Sequence, residues 1–166
     1  MGVDIHLYLE RWTNVDNPNC PKLKKKSVVR DEKISDILDE SISSGYKWVS
    51  LDNWFYDSKN DTWECENFYD SRNYRLFSLL ADVRNGGGIQ PIDYPRGIPE
   101  DASETYLYMC KMWEGNNHSH SYVSLREVLE IESQVWIDIN AENFIEPLRE
   151  IEGDPDEIRI CFFFDS

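Results

Sequence analysis

All three histidines of this 166-residue chain lie in two short polar clusters, Asp4-Ile5-His6 and His118-Ser119-His120. In each cluster the polar side chains recur two residues apart, a spacing that in extended backbone aims them to one side. One carboxylate and three imidazoles suit zinc, iron or nickel, and water on such a metal attacks phosphoesters and amides. Asp4, His6, His118 and His120 are therefore the metal candidates, with a divalent transition metal as the cofactor they would hold. The same residues, with Tyr8, also suit a ligand pocket. There the guanidinium groups of Arg72, Arg84 and Arg96 fork to phosphates, Asp82 and Asp101 hold ribose hydroxyls, and a Trp or Tyr stacks on a base.

The elements that must position these groups are written in the hydropathy pattern. Val3, Ile5, Leu7 and Leu9 alternate with Asp4, His6, Tyr8 and Glu10, which predicts a strand with one face on the core and a site-like opposite face. Asn14 to Lys26 reads as loop. Its run of Lys22 and Lys24 to Lys26 is either an exposed tip or an anion site. Ile34, Ile37, Leu38 and Ile42 fall at helical spacing, and Tyr46 to Leu51 is a second strand pairing with the first. Residues 13–45 are thus an excursion within an N-terminal hairpin. The aromatic, turn-rich stretch Asn53 to Tyr69 is either a loop pinned by its rings or a wall for a flat ligand.

A helix is predicted over Arg72 to Arg84, capped by Asp70 or Ser71 and stopped at Asn85-Gly86-Gly87-Gly88. Arg84 then falls in the apolar sector of Leu76, Leu79, Leu80 and Val83, where it needs an anion, a carbonyl or the helix C-terminus. The glycines follow a helix rather than open one, so they form a turn or hinge and no phosphate cradle. Pro95 and Pro99 bracket Arg96 and hold it outward. A helix over Ser103 to Trp113 leads to Asn116-Asn117, which present the second histidine pair. Ser124 and Glu127 form a capping box opening a helix with Leu125, Val128 and Leu129 inward. A further helix over Asn140 to Ile151 is interrupted at Pro147, and Glu157 to Phe164 is a last strand that pairs with the first. The sum is an α+β fold: one domain over residues 1–166, a mixed or antiparallel sheet and about four helices.

Composition narrows the function. The net charge is −15, with residues 1–30 holding six Lys and Arg against three Asp and Glu, and the rest eleven against twenty-nine. That distribution excludes generic nucleic-acid binding through a basic surface. The acidity serves either solubility or a decoy surface for a basic partner, such as a host protein. No apolar run approaches a membrane span and no secretory leader is evident, so a cytoplasmic chain with no membrane partner is expected. Cys20, Cys65, Cys110 and Cys161 are scattered without metal-ligand spacing and are expected as free thiols.

Several motifs carry a resemblance. They are Met1-Gly2-Val3-Asp4-Ile5-His6, Tyr69-Asp70-Ser71-Arg72-Asn73-Tyr74-Arg75-Leu76-Phe77, Leu80-Ala81-Asp82-Val83-Arg84-Asn85, Pro95-Arg96-Gly97-Ile98-Pro99-Glu100-Asp101 and His118-Ser119-His120-Ser121. Together they resemble a family of small uncharacterised proteins of bacteria, prophages and phages. The excursion at 13–45 and the Asn116-Asn117 pair depart from that pattern. The resemblance implies a phage outlet: a binding protein for a small nucleotide-like or phosphorylated anion, sequestering a host nucleotide immune signal as a counter-defence. Metal-assisted hydrolysis through the Asp/His cluster is the alternative, and inhibition of a host protein through the acidic surface is a second.

Overall fold

The computed structural model describes residues 2–16 and 45–166. Four strands, β1 (Asp4–Asn14), β2 (Tyr46–Ser50), β5 (Asn117–Ser124) and β6 (Ile158–Asp165), form one sheet in the order β2-β1-β6-β5, antiparallel throughout. β3 (Trp54–Asp57) and β4 (Thr62–Cys65) pair as a separate antiparallel hairpin. Five α-helices follow the hairpin: α1 (Tyr74–Ala81), α2 (Glu104–Met112), α3 (Leu125–Leu129), α4 (Ser133–Asp138) and α5 (Glu142–Arg149). This is an α+β fold, and its first and last strands pair side by side as the sequence predicts. Asn14 faces Tyr46 at the open end of the β1–β2 hairpin. The helical spacing at Ile34–Ile42, the lysine run at 22–26 and Cys20 lie outside the described residues. No helix among the described residues is long and apolar enough to cross a membrane, and the described Cys65, Cys110 and Cys161 are free thiols.

Alternation along β1 aims Val3, Ile5, Leu7 and Leu9 into the main core. They meet Phe162 and Phe164 of β6 there, beneath Leu76, Phe77 and Leu80 of α1 and Phe144 and Leu148 of α5. The opposite face is not the open polar surface that the alternation suggests. It carries Tyr8, Cys161 and Phe163, covered by Tyr106 and Cys110 of α2. β6 is consequently buried on both faces from Ile158 to Phe164, which explains its apolar run from Ile160 to Phe164. Glu10, expected on the polar side, is fully buried and paired to Arg159. Arg159 in turn reaches Asp101, and Glu10 also accepts the Ser103 N–H at 2.7 Å. A buried charge is tolerable only with such complete pairing.

Several local expectations change. The stretch after Asn53 is a β-hairpin rather than a loop, and α4 is an element the hydropathy pattern does not reveal. α1 is shorter than predicted. Asn73, not Asp70 or Ser71, is its N-cap, accepting the N–H groups of Arg75 and Leu76, and Asp82 closes it in the left-handed region at φ 60°. In α3 the capping box forms as expected, with Leu125 and Val128 inward, but Leu129 is exposed.

Candidate functional site

The expected Asp/His cluster is divided by the sheet. Phe163 lies opposite His6 across β1 and β6, and the His6 ring sits 4.9 Å from Phe163 and 4.3 Å from Trp113. The His6 Nε2 is 3.1 Å from Asp165 Oδ2, and Asp165 Oδ1 accepts the Asp4 N–H. His120 also lies against Phe163, at 5.5 Å. His118 pairs instead with Phe164, whose ring belongs to the main core. A β-bulge between His118 and Ser121, with Ser119 at φ 52°, sets two residues against one on β6. The added residue reverses the alternation, so His118 and His120 point to opposite faces despite their i, i+2 spacing. His118 Nδ1 bonds to the Ser119 hydroxyl at 3.0 Å. Burial, with a smaller contribution from His118, holds the His120 imidazole below its ordinary range.

Asp4 is engaged elsewhere: Arg72 donates to both of its carboxylate oxygens, at 2.7 and 2.6 Å, holding the carboxyl below its usual range. Among the described residues no three His, Cys, Asp or Glu side chains converge as a metal centre. The quartet Asp4, His6, His118 and His120 is therefore split between an ion pair with Arg72 and two faces of a packed sheet. Tyr8, placed in the same set by its spacing, is a core residue with 1% exposure.

The other predicted groups separate along the chain. Asp82 accepts from Asn85 and Arg84 is exposed in the turn beyond α1, at φ 57°. The helix stops before Arg84 could enter its apolar sector. An eight-residue helix puts these two on the order of 12 Å from Arg72 at the other end. Arg96 points inward rather than outward. Its guanidinium makes two bonds to Glu127, one to Asp93 and one to the Tyr122 carbonyl. Glu127 is in turn held down to about 2 by that guanidinium. Asp101 serves Arg159 and the Trp48 indole N–H. These are structural clamps, and they are satisfied.

Where Arg72 lies, a cleft opens. It has a volume of about 640 Å³ and runs between the Tyr69–Arg75 segment and residues 139–143. Asn73 fixes the two walls to each other: its side-chain amide donates to the carbonyls of Ile139 and Asn140 while its oxygen caps α1. Arg75 adds a second tie, donating to the Asp138 carbonyl at 2.7 Å. Ion pairs join neither Arg75 nor Glu142 to another described residue, so the cleft holds a cation and a carboxylate without mutual neutralisation. The Tyr69 ring is buried, which raises its hydroxyl above the ordinary range, and the polar groups of Ser71, Asn73 and Asn143 near it offset part of that rise. Tyr74 leaves 38% of its surface exposed, and its hydroxyl accepts the Val3 N–H.

Of the cleft's residues only Arg72 stood among the sequence candidates. Asn73 and Arg75 fell inside the helix expected to start at Arg72 and were not singled out, although Asn before an apolar repeat is an N-cap signal. Glu142 and Asn143 carried none, because nothing local says that α5 begins opposite α1. No family model, curated protein or solved structure matches this chain.

Proposed function

We propose that this chain is a binding protein for a small phosphorylated, nucleotide-like anion, and that its site is the cleft between Tyr69–Arg75 and residues 139–143. The observation that carries the reading is a concave space of about 640 Å³ whose walls are tied together before any ligand arrives. Ligand pockets run to about 300–1,000 Å³, and preorganised walls spare a ligand the cost of ordering them. Arg75 supplies a guanidinium with no carboxylate on it among the described residues. The hydroxyl, amide and carboxylate groups around it suit the polar remainder of such a ligand, and the open ring of Tyr74 suits a base. The phage outlet implied by the resemblance, sequestration of a host nucleotide signal, requires binding alone, and no catalytic group is needed for it.

A thermal-shift screen with linear, cyclic and ADP-ribose-type nucleotides tests the reading. A ligand that binds only the native state raises the melting temperature, by an amount corresponding to about 2.7 kcal/mol at a hundredfold excess over Kd. The shift should disappear in Arg75→Ala, measured against that variant's own ligand-free melting temperature, which loss of the Asp138 tie lowers. Shifts that persist unchanged in Arg75→Ala, or a panel without any shift, would remove the cleft as the site.

A further inference from the structure

Charge and donor supply inside the cleft specify the ligand more closely. Arg72 is already neutralised by Asp4 through both oxygens. The start of α1 offers little to an anion: the N–H groups of Arg75 and Leu76 are spent on the Asn73 side chain, and that of Asn73 on the Ser71 carbonyl. A helix N-terminus attracts phosphate through unsatisfied N–H groups, and here three are occupied. Arg75 is thus the one cleft guanidinium without a carboxylate partner among the described residues. Half-buried Glu142 contributes a negative charge to the same space. A second or third phosphate group would meet that carboxylate with no cation to offset it, whereas a sugar diol would donate hydrogen bonds to it.

Resting on the binding reading above, we infer that the ligand class is a ribose monophosphate unit, a nucleoside monophosphate above all, and that polyphosphates are selected against. Arg75 takes the phosphate, Glu142 accepts from the ribose hydroxyls, and Asn143 and the Tyr69 hydroxyl, which line the same cleft, serve as neutral partners. The exposed ring of Tyr74 adds contact with the base, so ribose 5-phosphate alone binds but more weakly.

Calorimetry on the full chain with the four ribonucleoside 5′-monophosphates, their triphosphates and ribose 5-phosphate decides the matter. The best monophosphate should bind at least about tenfold tighter than its own triphosphate, a ratio worth about 1.4 kcal/mol. Glu142→Gln should narrow that ratio by relieving the repulsion, and the 2′-deoxy analogue should bind the unaltered chain more weakly. Triphosphates binding as tightly as monophosphates, lost in Arg75→Ala, would overturn this inference and leave the binding reading standing. Absence of binding by every probe would overturn both. A melting curve of Glu142→Gln matching that of the unaltered chain shows that the comparison is between folded proteins.

Discussion

Asp52 is the side chain whose charge state is most exposed to experiment. Its carboxylate accepts the Leu9 N–H through both oxygens and the Ser50 hydroxyl at 2.9 Å, yet burial outweighs these bonds and pushes it up to about 7, with the Glu10 charge adding to the rise. A carboxyl raised in the fold keeps its proton while the unfolded chain has lost it. Stability is therefore unaffected by this group below about 4, falls as pH rises from there, and carries the full cost above about 7. Asp52→Asn removes the charge but retains an oxygen for Leu9, and the Ser50 hydroxyl can turn to accept. The variant should unfold at higher urea than the parent at pH 8, by a few kcal/mol at most (about one to three), and match it near pH 4. Urea melts at those two values are the measurement. An equal difference at both would show that Asp52 acts through packing or hydrogen bonding and not through its charge. The residue was not legible as a titrating group from sequence: Asp52 falls between a strand expected to end at Leu51 and the turn-rich stretch from Asn53, and only the closeness of Leu9 on β1 encloses it as an acceptor.

At the scale of elements, one guanidinium joins three of them. Arg96 ties its own loop through Asp93, the end of β5 through the Tyr122 carbonyl, and α3 through Glu127. The same loop reaches β5 twice more, through Gly97 N–H to the His120 carbonyl and Arg96 N–H to the Ser121 hydroxyl, shielding that edge strand. Glu127 is depressed from 4.5 to about 2, so its stabilising pairing is complete above about 4.5 and is lost as pH falls toward 2. Arg96→Ala should cost about 1–3 kcal/mol at pH 7, a cost that shrinks as pH approaches 2. Chemical denaturation between pH 2.5 and 7 reads it directly, and a pH-independent loss would reassign Arg96 to packing. The capping box itself was plain in Ser124 and Glu127, because it depends on residues three apart. Arg96's partner lies 31 residues on, and no local pattern carries that pairing. The same division runs through the fold. Strand alternation along β1 and the Ser124–Glu127 capping box are local and readable. The second covered face of the sheet, which buries Tyr8 and Glu10, and the bulge that parts His118 from His120 are set by α2 and β6 from far along the chain.

Across the whole molecule, a cationic pocket residue sits on a chain of net charge −15. The two act over different ranges. Arg75 attracts an anion at contact, while the many surface carboxylates repel it over distances that salt screens efficiently. The Debye length falls from about 30 Å at 0.01 M to about 8 Å at 0.15 M. An approaching phosphate therefore meets net repulsion at low salt, and the repulsion fades before the contact with Arg75 does. Association of a nucleoside monophosphate should accelerate as ionic strength rises across that range, the reverse of a ligand steered by its binding field. Dissociation should accelerate as well, since screening weakens the guanidinium contact, so equilibrium affinity changes less than either rate. Stopped-flow tryptophan fluorescence at several salt concentrations separates the two rates. A slower association at higher salt would mean that the potential at the mouth of the cleft is positive, and that Arg72, released from Asp4, joins Arg75 in drawing the ligand in.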